Sequence, residues 1–309
     1  MLKKIAYKKF VIATISLLII SIVYFYNNDS YEYTTTLSYI NENTQPIYLL
    51  DNNKYVARYK IVKKTDNQEE LIKYIINNLT INKKNSYFLP TGFNSIIPEN
   101  TKLLSYSIED GLLKLNFSKE FLNIDSTMEE KLIESIVYSM LEIKGINKIM
   151  IFIDSVKLDK LPNSGKRLPN ILDKNIGINK SFSINSIKDT NKTTVYYISK
   201  INDNYYYVPV TSIGNNEKEK VEVIIEKLKV SPSYNTNLMS FLKSNAELLN
   251  YEILENSVSL SFNNHIFSLN ENKIDEEVKY SIALSIRDSY NISQTIFYVD
   301  EVLVDALNI

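Results

Sequence analysis

Chemistry that moves protons or chemical groups needs particular side chains at converging positions, and this chain supplies few of them. His265 is the single histidine, and there is no cysteine. That excludes thiolate zinc sites, iron–sulfur clusters, cysteine nucleophiles and disulfides, and argues against a histidine-based triad. Set between Asn264 and Ile266, His265 reads as an exposed loop residue rather than a general base. Asp154 and Asp300 each close an apolar run, IMIFID and TIFYVD. Two carboxylates can share acid–base work. Here each stands in a separate copy of a repeat, so both read as turn residues that end a strand. Glu129-Glu130 and Asp275-Glu276-Glu277 fall where helices are predicted to begin, and acids there complement the helix dipole without any metal. The run NSGKRL around Lys166 has the Gly-Lys of a phosphate loop but lacks its first Gly and the Ser/Thr after Lys. It reads as a turn. No catalytic, cofactor-binding or metal-ligating residue is assigned, and the expectation is a protein that is not an enzyme and acts by contact.

Contact candidates lie in two places. The segment SYFLPTGFNSIIPE, residues 86–99, is apolar and aromatic, with Pro90 and Pro98 as rigid punctuation and Phe88 and Phe93 as large side chains. A protruding contact loop and the core packing of a long connection both account for it. The second place is Lys166, Arg167 and Leu168 in the stretch SGKRLPNILDKNIGIN. Its Leu168, Ile171, Leu172, Ile176 and Ile178 are too apolar for a free linker, so the stretch is expected to pack on a module and fix the relation of its neighbours.

The elements that would position these residues come from an internal repeat. IYLL at Ile47 and VYYI at Val195 open the two copies, followed by β-rich runs at Tyr55–Val62 and Tyr205–Thr211. Ile72, Ile75, Ile76 and Leu79 then occupy one helix face, as do Val221, Ile224, Ile225 and Leu228. Leu104, Tyr106 and Ile108 alternate before Asp110-Gly111, and Leu113, Leu115 and Phe117 alternate after it, which predicts a hairpin. The second copy repeats this with Leu249, Tyr251 and Ile253, Glu255-Asn256, then Val258, Leu260 and Phe262. A second helix carries Leu132, Ile136, Met140 and Ile143, or Val278, Ile282, Ile286 and Tyr290, before the strand that closes each copy. The predicted fold is α+β: two tandem modules, each a small mixed sheet with two helices in the order β-β-α-β-β-α-β.

Ahead of the modules, residues 10–26 read FVIATISLLIISIVYFY without a charge. Seventeen residues is the short end of what spans a bilayer, about 17–25. Lys3, Lys4, Lys8 and Lys9 precede the stretch, which predicts residues 1–9 inside and the bulk outside the cytoplasm. The alternative is a cleaved signal peptide, but the apolar run exceeds the usual length of about 7–15 residues and no small-x-small site follows cleanly. Residues 27–45 read as a tether, 46–160 as the first module, 161–190 as the connector and 191–309 as the second module. Without its four leading lysines the chain has 31 basic against 36 acidic residues, so electrostatic nucleic-acid binding is not expected.

The first module, with IIPENTKLL at Ile96, EDGLLKLNFS at Glu109, IYLLD at Ile47 and the closing IMIFID, resembles the GerMN domain of sporulation and germination proteins. Two copies joined by SGKRLPNILDKNIGIN resemble tandem GerM-like proteins. The resemblance implies a fold similar to ring-building motifs and a role in endospore formation or germination without known catalysis. It also implies help in assembling a ring or channel between mother cell and forespore, with envelope or sporulation-complex proteins as partners. Two departures stand out. Many such proteins are lipoproteins, and a chain without cysteine must anchor through residues 10–26. In the second copy Phe241-Leu242-Lys243 replaces Ile96-Ile97-Pro98 and no Asp-Gly turn is present, so its contact surface is expected to have changed. A cell-wall or small-ligand binding module of the envelope is the competing expectation.

Overall fold

Three consecutive residues of the opening strand, Ile47, Tyr48 and Leu49, are completely buried, as are Val195, Tyr196 and Ile198 in the second copy. A strand buried at successive residues is covered on both faces, and the topology shows why. In the computed structural model, which describes residues 43–82, 89–183, 190–215, 218–232, 236–269 and 271–309, the opening hairpins leave their own modules and build one shared sheet. Its strands are β1 (Thr44–Asp51), β2 (Val56–Val62), β3 (Phe93–Asn94), β8 (Ser181–Ser183), β9 (Thr190–Ile201) and β10 (Asn204–Asn215). β1 and β2 pair antiparallel, as do β9 and β10, whereas β2 meets β10 only at Arg58 and Tyr207. The connector joins in, because β8 runs parallel to β10.

Each module also keeps a four-stranded mixed sheet. In the first it is β4 (Leu103–Glu109), β5 (Leu112–Phe117), β6 (Lys148–Ile153) and β7 (Val156–Lys157); in the second, β11 (Leu248–Ile253), β12 (Ser257–Phe262), β13 (Gln294–Val299) and β14 (Val302–Asn308). The central pairs β5–β6 and β12–β13 are parallel and the outer pairs antiparallel. The last strand of each sheet is absent from the predicted order. It arises because Asp154-Ser155 and Asp300-Glu301 take positive φ at both positions and reverse the chain within two residues.

Among the described residues four α-helices complete the layers: α1 (Gln68–Leu79), α2 (Glu129–Met140), α3 (Lys220–Leu228) and α4 (Glu276–Tyr290). α1 starts because the Asn67 side chain accepts the Glu70 amide, an N-cap bond. It buries Leu71, Ile72, Ile75, Ile76 and Leu79, the face read from the periodicity. α2 stops at Met140, so Ile143 lies past its end. From Leu132 to Met140 every residue of α2 is buried, including Glu134, Ser135 and Ser139. A helix covered on all sides belongs between layers. α2 packs on β1 and β2, and α4 on β9 and β13.

The predicted span at 10–26, its flanks and Phe88 lie outside the described residues, among which no helix is long and apolar enough to cross a membrane. The loop carrying Pro90 turns inward at Gly92, whose φ is +92°. Phe93 then stands between Tyr59 and Tyr206, at ring distances of 5.1 and 4.9 Å. An added Cβ at Gly92 would lie 2.6 Å from Cδ1 of Ile201. Gly92→Ala is therefore expected to destabilise the protein by about 1–3 kcal/mol, from strain and overpacking together. A lowered urea midpoint at unchanged slope would record it; an unchanged midpoint would show that the turn relaxes freely.

Candidate functional site

Ser135 and Ser139 lie four residues apart on α2, and Ser281 and Ser285 occupy the matching positions on α4. Such pairs share one helix face. Ser139 Oγ accepts the backbone N–H of Tyr48 at 2.8 Å, and Ser135 Oγ donates to the Tyr48 carbonyl at 2.5 Å. In the second module Ser285 Oγ accepts the Tyr196 N–H at 2.8 Å. The serines thus act as a substitute strand for backbone groups that no neighbouring strand reaches, meeting the demand that buried N–H and C=O groups be paired.

This arrangement aims Tyr48 and Tyr196 at each other, with their hydroxyl oxygens 2.7 Å apart. Tyr48 reaches Glu142 at 3.0 Å and Tyr196 reaches Asp288 at 2.5 Å, again equivalent positions of the repeat. Two phenolic protons serve three oxygen–oxygen contacts, so at any instant one contact lacks a donor. Cations supply what is missing. Arg287 of the second module grips Glu142 of the first with two guanidinium nitrogens, at 3.0 and 2.6 Å, and its Nε donates to Asp288 at 3.0 Å. Lys174 of the connector reaches Asp288 at 2.5 Å, and Arg58 lies 3.8 Å from Glu142. Burial alone would raise the Glu142 carboxyl. The guanidiniums of Arg287 and Arg58, with Lys174, outweigh burial and bring it from 4.5 down to about 2. Asp288 is likewise held well below the usual carboxylate range: burial opposes this, and Arg287, Lys174 and the Tyr196 hydroxyl prevail.

The connector ends in a second clasp. Asn179, at φ +45°, inserts its side-chain amide between β2 and β10. Its Nδ2 donates to the carbonyls of Val56 and Pro209, and its Oδ1 accepts the Val56 N–H. Pro209 has no N–H to offer the sheet, and the asparagine fills that gap. The Asn179 N–H goes to Glu134, which also pairs with Lys180. At the connector's other end Glu129 accepts the amides of Asn163 and Ser164 at 2.7 and 2.8 Å. Its role is to anchor the connector, which goes beyond complementing the helix dipole. Asp51, the last residue of IYLLD, accepts the Tyr206 hydroxyl of the second module at 2.8 Å.

The contact candidates separate on this background. Phe93 and Pro98 are buried in the chain's own core, so in this loop core packing prevails over protrusion. Pro90 and Leu168 are half-buried, Lys166 is bound to Glu130 at 2.6 Å, and Arg167 is exposed. Lys166 follows Gly165 in a tight turn closed by Leu161, in place of a phosphate cradle. His265 is exposed, and Asp154 and Asp300 are the first residues of the strand-reversing turns. Among the described residues no group of acids or His could hold a metal ion. Sequence reasoning missed the junction because Arg58, Glu142, Lys174 and Arg287 are far apart in the chain; its readable trace was Ser-x-x-x-Ser followed by an acid in both second helices.

Two copies of one α+β module, fused by a shared sheet and a buried ionic junction, define a tandem-module protein whose polar groups hold the modules together. Residues 46–159 match the Germane family, described as sporulation and spore germination. The spore germination protein GerM of Bacillus subtilis is 29% identical over 250 residues, covering 78% of this chain and 67% of that protein. The solved tandem GerMN domains of the sporulation protein GerM from the same organism align at a TM-score of 0.78 and 26% identity, covering 86% of this chain and 96% of theirs. Over both modules the chain resembles the tandem GerMN domains of a sporulation protein, and its first module matches the Germane family.

The ion cluster makes stability depend on pH with a definite sign. Carboxyls depressed in the folded state contribute above their unfolded pKa and lose that contribution as pH falls through the folded value. For Glu142 that window runs from 4.5 down to about 2. Urea midpoints should be flat near neutral pH and fall steeply across this window, the fall being smaller in Glu142→Gln. A midpoint that rises on acidification would contradict the ionised assignment.

Proposed function

We propose that this chain is a non-catalytic, membrane-anchored scaffold that acts outside the cytoplasm of a spore-forming bacterium. There it helps assemble or stabilise a ring or channel complex between the mother-cell and forespore membranes. The likeness of the whole tandem unit to the GerMN pair of a sporulation protein carries this reading, because it spans both modules and the connector. Two physical features support it. The uncharged residues 10–26 after a lysine-rich start suit an anchor with the modules outside. The junction spends the chain's buried charges on fixing two modules, which suits a rigid spacer better than an enzyme that must open and close. Partners in this reading are the membrane and other envelope or sporulation-complex proteins; nucleic acid is not among them.

The test is the position of an N-terminally tagged chain through a sporulation time course, with a tag that needs no oxygen and lies on the cytoplasmic side. Enrichment at the septal and engulfing membranes is expected. An even peripheral signal, present equally in growing cells, would overturn the assembly role and favour wall or small-ligand binding.

A further inference from the structure

Among the described residues, one edge of each module's own sheet is a strand with no outer partner, β4 in the first and β11 in the second. A groove runs beside each, between the strand and the module's first helix: about 800 Å³ against α1 and about 440 Å³ against α3. Unpaired edges offer a row of backbone donors and acceptors, and soluble proteins usually cover or charge them. Here the edges carry an apolar residue at the same repeat position, Leu104 and Leu249, exposed at 49% and 58%.

The charges differ in a pattern. Lys73 on α1 corresponds to Glu222 on α3, each directly after the first apolar position of its helix face, and Lys102 corresponds to Glu247, each directly before its edge strand. All four line their grooves. Within each groove the exception is again opposite between modules: Glu99 in the first, Lys229 in the second. Glu226, which also lines the second groove, is paired with Lys218.

Duplicated surfaces that each carry an exposed leucine on an open strand edge while reversing charge are electrostatically complementary to each other. We infer that the first-module groove and edge β4 of one copy dock on the second-module groove and edge β11 of the next. The occupant is therefore a second copy of this chain. Two different patches in contact make a heterologous interface, which propagates into open chains or closes into rings. Strand pairing supplies hydrogen bonds, the leucines meet, and Lys73 and Lys102 face the carboxylates of Glu222 and Glu247. The inference deepens the scaffold reading by naming one partner of the assembly, and it rests on that reading only for its biological setting.

The full chain in mild detergent tests it directly, because its natural sequence has no cysteine. Ser107→Cys places a thiol on β4 and Asn250→Cys one on β11, both at exposed positions. With a short bismaleimide, the mixture of the two variants should give crosslinked dimers and each variant alone should not. A chain bearing both thiols should give a ladder. Lys73→Glu with Lys102→Glu should abolish crosslinking, as should Glu222→Lys with Glu247→Lys, and mixing these two charge variants should restore it. Circular dichroism checks that each variant is folded. Equal crosslinking of like and unlike variants, indifference to charge reversal, or no crosslinking in folded protein would overturn the inference. None of these results depends on where the protein resides in a sporulating cell, so failure here is distinct from failure of the scaffold reading.

Discussion

The contact on which the rest of the molecule depends is the buried grip of Arg287 on Glu142, with Tyr48 and Tyr196 hydroxyl to hydroxyl beside it. Charges taken out of water are tolerated only when their partners are placed well, and removing one partner strands the other. The requirement reaches outward. Glu142 follows α2, Arg287 and Asp288 sit near the end of α4, and Lys174 belongs to the connector. All three parts of the chain must be in place before the full set of these charges is satisfied. A buried ion pair is weak evidence for stability as such; its consequence here is specificity, because one relative placement of the modules meets every requirement.

The repeat explains how such a junction is built. Each second helix carries a serine pair with an acid one turn beyond it; Ser135 and Ser139 both bond Tyr48, whereas in the second module Ser285 alone bonds Tyr196, so each module brings part of the polar set. Brought face to face, the halves put two carboxylates and two phenols together, and cations that the repeat does not duplicate balance them. Arg287 breaks the symmetry: its equivalent in the first copy is Leu141. Pro209 and Asn179 break it again, one removing a donor from β10 and the other supplying an amide in its place.

Local chemistry was legible in the sequence, and pairing between distant segments was not. The helix faces at Ile72–Leu79 and Val221–Leu228, the Asp-Gly hairpin and the strands ending at Asp154 and Asp300 all appear where spacing placed them, since a helical or strand period is a property of neighbours. The closing strands β7 and β14 were invisible because their turns use Asp-Ser and Asp-Glu at positive φ, without the glycine that usually signals one. The shared sheet was invisible because it joins strands about 150 residues apart, as Arg58 and Tyr207 do. For the loop of Phe93 and Pro98 the sequence favours core packing and leaves contact open, because composition cannot tell an apolar loop that folds inward from one that points out.

The central claim is that the junction makes the two modules one cooperative unit. Hydrogen exchange along a urea series, comparing the natural chain with Arg287→Met, addresses it most directly. If the claim holds, amides of β1–β2 and β9–β10 lose protection together, and the substitution lowers both by about 3–5 kcal/mol, the range for breaking a buried pair. Loss of protection confined to the second module, with β1 and β2 as protected as before, would show that the modules are stable independently and contradict the account.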